Sequence, residues 1–316
     1  MKKNIFFTIL RSFISIFFIY LILRKINLKE LCEVIKNVNL FFLFSAYFMI
    51  FLINIPLSLR FKYIIEIFFK KPVSNFFIWK ITMIGQFFNN FLPTSAGGDI
   101  VKIFYIVKEQ EKKFLSGISI LIDRYIGSLT IMTMGSISIF FWKGERNIHY
   151  LILIFLFLLI FSYFFFSKRK FARFFYSPIK KIFPEFLNEK FLNLYNSIHF
   201  YFTEDKRKFY SAVLISFFLQ ILSIISQYLI GIAVLKKNLN ILPFFVFIPL
   251  IWTSTLIPSL GGLGVREFSY IFFFSDFIGK NNANALSFLV FLSVILNGIF
   301  GGIIFLTFKY KKPFDN

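Results

Sequence analysis

The residues able to do chemistry in this chain form three small groups in apolar surroundings. Asp99 and Lys102 follow a helix-breaking stretch, FLPTSAGGDIVK, that contains Pro93, Gly97 and Gly98. Arg266 and Glu267 follow a second one, IPSLGGLGVRE, with Pro258, Gly261, Gly262 and Gly264. Asp123 and Arg124 lie inside a long apolar run from Phe114 to Trp142. Charged side chains at membrane depth are rare and tend to pair or to line the path of a polar solute. Proline breaks a helix by removing an N–H, and glycine allows φ > 0 and close helix approach. A helix that restarts after such a break presents free N–H groups and the positive end of its dipole, which favours an anion such as a phosphate. The chemistry on offer is therefore electrostatic recognition of an anion. The structural alternative is that these residues are ion pairs or snorkelling interfacial groups, with Asp123 neutralising Arg124.

The elements that hold these groups are membrane helices. The 316-residue chain is 58% hydrophobic with a mean hydropathy of +0.75, above the roughly 45–50% apolar content of soluble domains. Several nearly uncharged runs reach about 18 residues or more, enough to cross a ~30 Å hydrocarbon core. Leu151 to Ser167 is the plainest. The runs do not alternate with period two, which argues against a β-barrel. An all-α polytopic membrane protein is predicted. A net charge of +21 would suggest nucleic acid in a soluble protein. Here the basic residues lie mainly between spans, where the positive-inside rule and anionic headgroups account for them. No nucleic-acid partner is expected. The single Cys32 excludes an internal disulfide and a cysteine-based metal site. His149 and His199 lie far apart, in or beside loops, and predict solvated or interfacial roles. GxxxxGK[ST], HExxH and GxSxG motifs are absent, so no ATPase, metal, cofactor or enzyme activity is expected.

Full spans are predicted at Asn4–Leu23, Leu40–Leu59, Phe114–Trp142, Tyr150–Ser167, Ser211–Leu235 and Ala285–Phe308. Two segments, Phe76–Lys113 and Pro243–Ile278, are interrupted. Residues 168–210 read as a basic loop, within which Phe186 to Phe202 has the spacing of an amphipathic helix on the headgroups. If both interrupted segments dip in and return, the N-terminal MKK, the Arg60–Lys80 connection, Lys108–Lys113, the 168–210 loop and the tail share one side. The positive-inside rule makes that side cytoplasmic. The prediction is about six full spans plus two re-entrant segments in one membrane domain, with both termini facing the cytoplasm from the inner membrane.

The helix-breaking stretch occurs twice. LPTSAGGDIV (Leu92 to Val101) aligns with IPSLGGLGVR (Ile257 to Arg266) when Pro93 meets Pro258; Asp99 then meets Gly264. The first copy enters from inside and the second from outside, so repeat 1 (about 40–142) and repeat 2 (about 211–308) run in opposite senses. Inverted repeats with broken helices that meet near the midplane are a recurrent design of secondary transporters.

On NNFLPTSAGGDIVK (Asn89 to Lys102), IDRYIGSL (Ile122 to Leu129) and IPSLGGLGVREFSY (Ile257 to Tyr270), the chain resembles the membrane domain of the lysylphosphatidylglycerol synthase/flippase family. The resemblance implies a multi-span, lipid-handling module of the cytoplasmic membrane. It also implies cavity or gating roles for Asp99, Arg124, Arg266 and Glu267, which occupy motif positions. In two-part members a soluble aminoacyl-transfer domain follows. This chain ends at Asn316, eight residues after its last predicted span, so lysyl transfer is not expected. The expected function is movement of an anionic phospholipid or polyprenyl-phosphate-linked lipid between leaflets, with anionic-headgroup lipids as partners. The alternative is an accessory protein that binds a lipid or glycolipid and presents it to a separate transferase.

Overall fold

The computed structural model describes residues 34, 36–70, 72–90, 97–110, 113–142, 146–180, 184–254 and 265–308. Every regular element among them is an α-helix. In chain order they are α1 (Leu40–Leu52), α2 (Asn54–Phe69), α3 (Asn75–Asn89), α4 (Gly97–Gln110), α5 (Lys113–Ile139), α6 (Arg146–Ser167), α7 (Arg169–Lys180), α8 (Glu185–Thr203), α9 (Lys206–Leu235), α10 (Leu242–Ser254), α11 (Val265–Ile278) and α12 (Lys280–Thr307). Four stretches among the described residues are long and apolar enough to cross a bilayer: Leu40–Phe69, Phe114–Ile139, Lys206–Leu235 and Lys280–Thr307. The protein is an all-α, multi-pass membrane protein. The predicted span Asn4–Leu23 lies outside the described residues.

Local chemistry sets the boundaries. Asn39 caps α1, its side-chain oxygen accepting from the Phe41 N–H. Only Ile53, itself helical, separates α1 from α2, so the pair forms one apolar rod of 30 residues. The rod ends at Lys70, whose positive φ of 51° returns its N–H to the Glu66 carbonyl, a left-handed C-terminal stop. Asp205 caps α9 through the Lys208 N–H, and Lys236 (φ 55°) ends it as Lys70 ends α2.

The order long, short, short, long therefore occurs twice, first as α1–α2, α3, α4, α5 and again as α9, α10, α11, α12. The short helices have 15, 14, 13 and 14 residues. At 1.5 Å per residue each is about 20–22 Å long, less than a ~30 Å hydrocarbon core. Each short pair is an antiparallel hairpin. In the first, Phe77 near the start of α3 and Tyr105 late in α4 both pack on Phe308, with ring centroids 6.3 and 5.3 Å away. The chain thus enters and leaves at one end of the bundle. At the closed end the Asn89 side chain accepts from the Gly98 N–H at 2.7 Å. In the second hairpin Phe244 and Phe274 lie 4.8 Å apart near the mouth, and Ser269 donates to Ser254 at 2.8 Å near the closed end.

The two mouths face opposite ways. Lys70, beside the first mouth, pairs with Glu204 just before the start of α9. The second mouth sits at the other end of α9, where Phe244 packs on Gly231 and the Asn39 N–H bonds the Ala233 carbonyl. The units also interleave. α12 lies on α3 with backbone nearly touching backbone: a Cβ on Gly301 would fall 2.0 Å from the Met83 carbonyl oxygen. Small residues allow this close approach between membrane helices. In return α5 packs on α10. Buried apolar side chains gather in two clusters, one towards each end of the bundle.

Three expectations need correction. The Arg60–Lys80 connection is helical as far as Phe69, because Arg60 and Glu66 are buried against long-range partners. The described residues of 168–210 are not a loop but α7, α8 and the first turn of α9 with short joints. Their aromatics fold them onto α6: Phe161 packs on Phe171 and Phe175 at 5.4 and 5.2 Å. The amphipathic helix expected at 186–202 is α8. Of the solvated or interfacial role expected for His199, the solvated form does not hold: it is buried, its Nδ1 2.7 Å from the Phe166 carbonyl oxygen.

Candidate functional site

The closed ends of the two hairpins meet at a cavity of about 310 Å³. α3 contributes Gln86, Asn89 and Asn90, and α9 contributes Gln220, Ser223 and Gln227. Trp252 of α10 and Arg266 and Tyr270 of α11 face them, while Ile131 of α5 and Val290 and Val294 of α12 supply apolar wall. These positions fall near the middle of α5, α9 and α12, which puts the cavity at mid-depth. Helical spacing aligns the polar groups. Gln86, Asn89 and Asn90 stand at i, i+3 and i+4, and Gln220, Ser223 and Gln227 at i, i+3 and i+7, so each set shares one stripe. Hydrogen bonds fix several of them on the walls. Asn90 donates to the Val294 carbonyl at 3.2 Å, Gln220 to the Gly127 carbonyl at 3.3 Å, and the Tyr270 hydroxyl to Gln227 Oε1.

Arg266 is the charged residue among the described lining groups, and it is 9% exposed. Its Nη2 donates to Glu267 Oε1 at 3.1 Å, and its guanidinium carbon lies 5.4 Å from the Phe291 ring centroid. Its Nε is buried with no hydrogen-bond partner, at a cost of roughly 1–3 kcal/mol. Arg266 also sits in the first turn of α11, where a cation opposes the helix dipole. Guanidinium and helix terminus together concentrate positive potential at the cavity. An anion there would offset the positive charge held at the helix start.

The remaining predicted residues divide around this cavity. Asp99 does not line it. Asp99 Oδ2 accepts from Arg124 Nε at 2.5 Å, and Oδ1 lies 3.9 Å from Lys102 Nζ. In the first turn of α4, its negative charge suits the dipole, and its arginine partner ties α4 to α5. Lys102 Nζ sits 5.0 Å from the Phe61 ring centroid. Gly97 and Gly98 open α4. A Cβ on Gly98 would lie 2.0 Å from the Gly85 carbonyl oxygen, so only glycine lets α3 and α4 close their hairpin.

Asp123 is not the partner of Arg124, whose Nε is taken by Asp99. It pairs instead with Arg60, 2.7 Å from Nε to Oδ1, both side chains being under 10% exposed. Arg60 Nη1 donates to Ser216 at 3.0 Å, and Ser216 lies 2.8 Å from Thr130 Oγ1. This buried network joins α2, α5 and α9. Pro93, Pro258, Gly261, Gly262 and Gly264 lie outside the described residues. The cavity amides and Arg60 were not among the predicted site residues. The amides carry a readable signal, polar residues at helical spacing within apolar spans; Arg60 carries none beyond its place at the edge of one.

Residues 8–301 match the family described as Lysylphosphatidylglycerol synthase TM region. The chain belongs to this family. The match runs through both hairpins, so the cavity and the Arg60–Asp123 and Asp99–Arg124 pairs all lie within the lysylphosphatidylglycerol synthase TM region. The UPF0104 membrane protein MJ1595 of Methanocaldococcus jannaschii is 29% identical over 150 residues, which make up 46% of this chain and 44% of that protein. The match thus spans less than half of either chain. No solved structure matches this lysylphosphatidylglycerol synthase TM-region protein.

Proposed function

We propose that the protein carries the headgroup of an anionic phospholipid, or of a polyprenyl-phosphate-linked lipid, between the leaflets of the cytoplasmic membrane through this cavity. The observation that carries the proposal is the convergence of two oppositely opening hairpins on one polar cavity with a partly unsatisfied Arg266 in its wall. A headgroup phosphate would accept from the Arg266 guanidinium, amides of α3 and α9 would bond glycerol or sugar hydroxyls, and acyl chains would stay in the bilayer. Alternating access would arise as one unit rocks against the other, along the α12–α3 and α5–α10 contacts. Lys62, Lys70, Lys80 and Lys208 lie around the first mouth, paired with Glu66 and Glu204 or packed on Phe308, so the positive-inside rule turns that mouth to the cytoplasm. On this reading the partners are membrane lipids and the work is transport, not covalent catalysis. The test is leaflet translocation of fluorescent phosphatidylglycerol in proteoliposomes. A rate above empty vesicles that falls in Arg266→Ala is expected. No rate for any of several anionic lipids would remove the basis for transport.

A further inference from the structure

A second set of unpaired donors lies away from the central cavity. At the end of α2 and the start of α9, the chain carries α7 and α8 against the end of α6. α7 leaves α6 after the single residue Lys168 and folds back along it, and α8 closes the other side, with Tyr176 stacked on Phe191 at 5.0 Å. A pocket of about 150 Å³ remains between the three helices, with Phe165, Arg169, Arg173, Leu192, Tyr195 and Asn196 in its wall. Arg169 and Arg173 stand one turn apart on the same face of α7. The ion pairs of the described residues leave both guanidiniums without a carboxylate. Tyr195 is 8% exposed, yet its hydroxyl is buried with no hydrogen-bond partner. Burial pushes that hydroxyl above the ordinary phenol value while the charges of Arg169 and Arg173 pull it down. It is a protonated donor in the field of both guanidiniums.

Two guanidinium forks on the wall of a small space, with an orphaned O–H buried behind it, match the acceptor oxygens of a phosphate, which arginine binds in bidentate fashion. The pocket has room for a phosphate with its first ester carbons. Phe165 of α6 lines the pocket, and Phe174, next to Arg173 on α7, is exposed, apolar groups suited to the first carbons of a lipid chain. We propose that the α7–α8 pocket binds a phosphate ester, that of an anionic membrane lipid, at headgroup depth. It shares no residue with the central cavity and does not depend on the transport reading.

Detergent-purified full-length protein, titrated separately with dioleoyl-phosphatidylglycerol and with inorganic phosphate and followed by native mass spectrometry, tests this. In R169A/R173A one bound phosphatidylglycerol should weaken by about 30-fold, the worth of two basic residues at an anionic surface. R169K/R173K should recover part of it, and Y195F, which removes only the donor, should weaken it by a smaller factor. Both arginines are exposed and unpaired with acids, so R169A/R173A should keep its circular dichroism spectrum; Y195F carries the test if it does not. Lipid retained against excess inorganic phosphate assigns the pocket to a headgroup. Phosphate bound without lipid assigns it to a soluble phosphate ester. Equal retention of both probes by wild type, R169A/R173A and Y195F overturns the proposal. So does loss of every bound lipid in R266A alone, a result that leaves the central cavity reading standing.

Discussion

Replacing Arg266 with alanine removes a charged wall of the cavity together with a buried donor that has no partner. The two consequences have opposite signs. With lipid bound, a charge-assisted hydrogen bond worth roughly 1.5–3 kcal/mol is lost, so affinity for phosphatidylglycerol should fall about 10- to 150-fold. Without lipid, the wild type already bears roughly 1–3 kcal/mol of unsatisfied Nε, which the substitution relieves. The lost packing on Phe291 and the lost partner of Glu267, whose side chain is 27% exposed, offset that gain. Stability should therefore stay within about 1 kcal/mol of wild type. Arg60→Ala gives the contrast. It strands Asp123 in a buried site and should cost about 3–5 kcal/mol. Lipid titration by native mass spectrometry reads the first quantity, and thermal unfolding in the same detergent reads the second. If R266A unfolded as readily as R60A and bound lipid as well as wild type, Arg266 would be a structural residue and the reasoning would be refuted.

Other perturbations separate the roles of neighbouring residues. Replacing the whole buried pair, as in Arg60→Met with Asp123→Leu, should regain most of the stability that R60A loses, measured by the same unfolding assay. Gly98→Ala, whose Cβ would meet the Gly85 carbonyl oxygen at 2.0 Å, should cost about 1–3 kcal/mol by forcing α3 and α4 apart. Gly117→Ala is its control: nothing lies within 4 Å of a Cβ there, and helix propensity should raise stability by up to about 1 kcal/mol. Gln220→Leu with Gln227→Leu keeps the helix and removes two cavity amides; proteoliposome flux should fall while the yield of folded protein holds.

How much of this was legible in the sequence depends on how far away each residue finds its partner. Apolar length locates α5, α6, α9 and α12, because a span needs only local composition. The duplicated Pro–Gly stretch and the distribution of lysines indicate two hairpins of opposite sense, again from local signals. The last turns of α2 are different. Arg60 and Glu66 fall in what reads as a connection between spans, because their partners, Asp123 and Lys208, lie far along the chain. Residues 168–210 look like a loop by charge, yet their aromatics fold them into α7 and α8. Within the site, Asp99 reads as a pathway residue because an aspartate in lipid is costly; its pairing with Arg124, 25 positions away, is not visible in the local sequence. The cavity amides were visible as spacing, but their convergence needs two hairpins entering from opposite ends, which no local pattern encodes.

The central claim is that a lipid phosphate occupies the cavity where the hairpins meet. The most direct test is photo-cross-linking from p-benzoylphenylalanine placed at Trp252, in the cavity wall, in native membranes, with the adduct identified by mass. The account predicts a phosphate-bearing lipid adduct whose yield falls sharply when Arg266→Ala is added. An adduct of unchanged yield in R266A, or a cross-linked lipid with no phosphate, would contradict it.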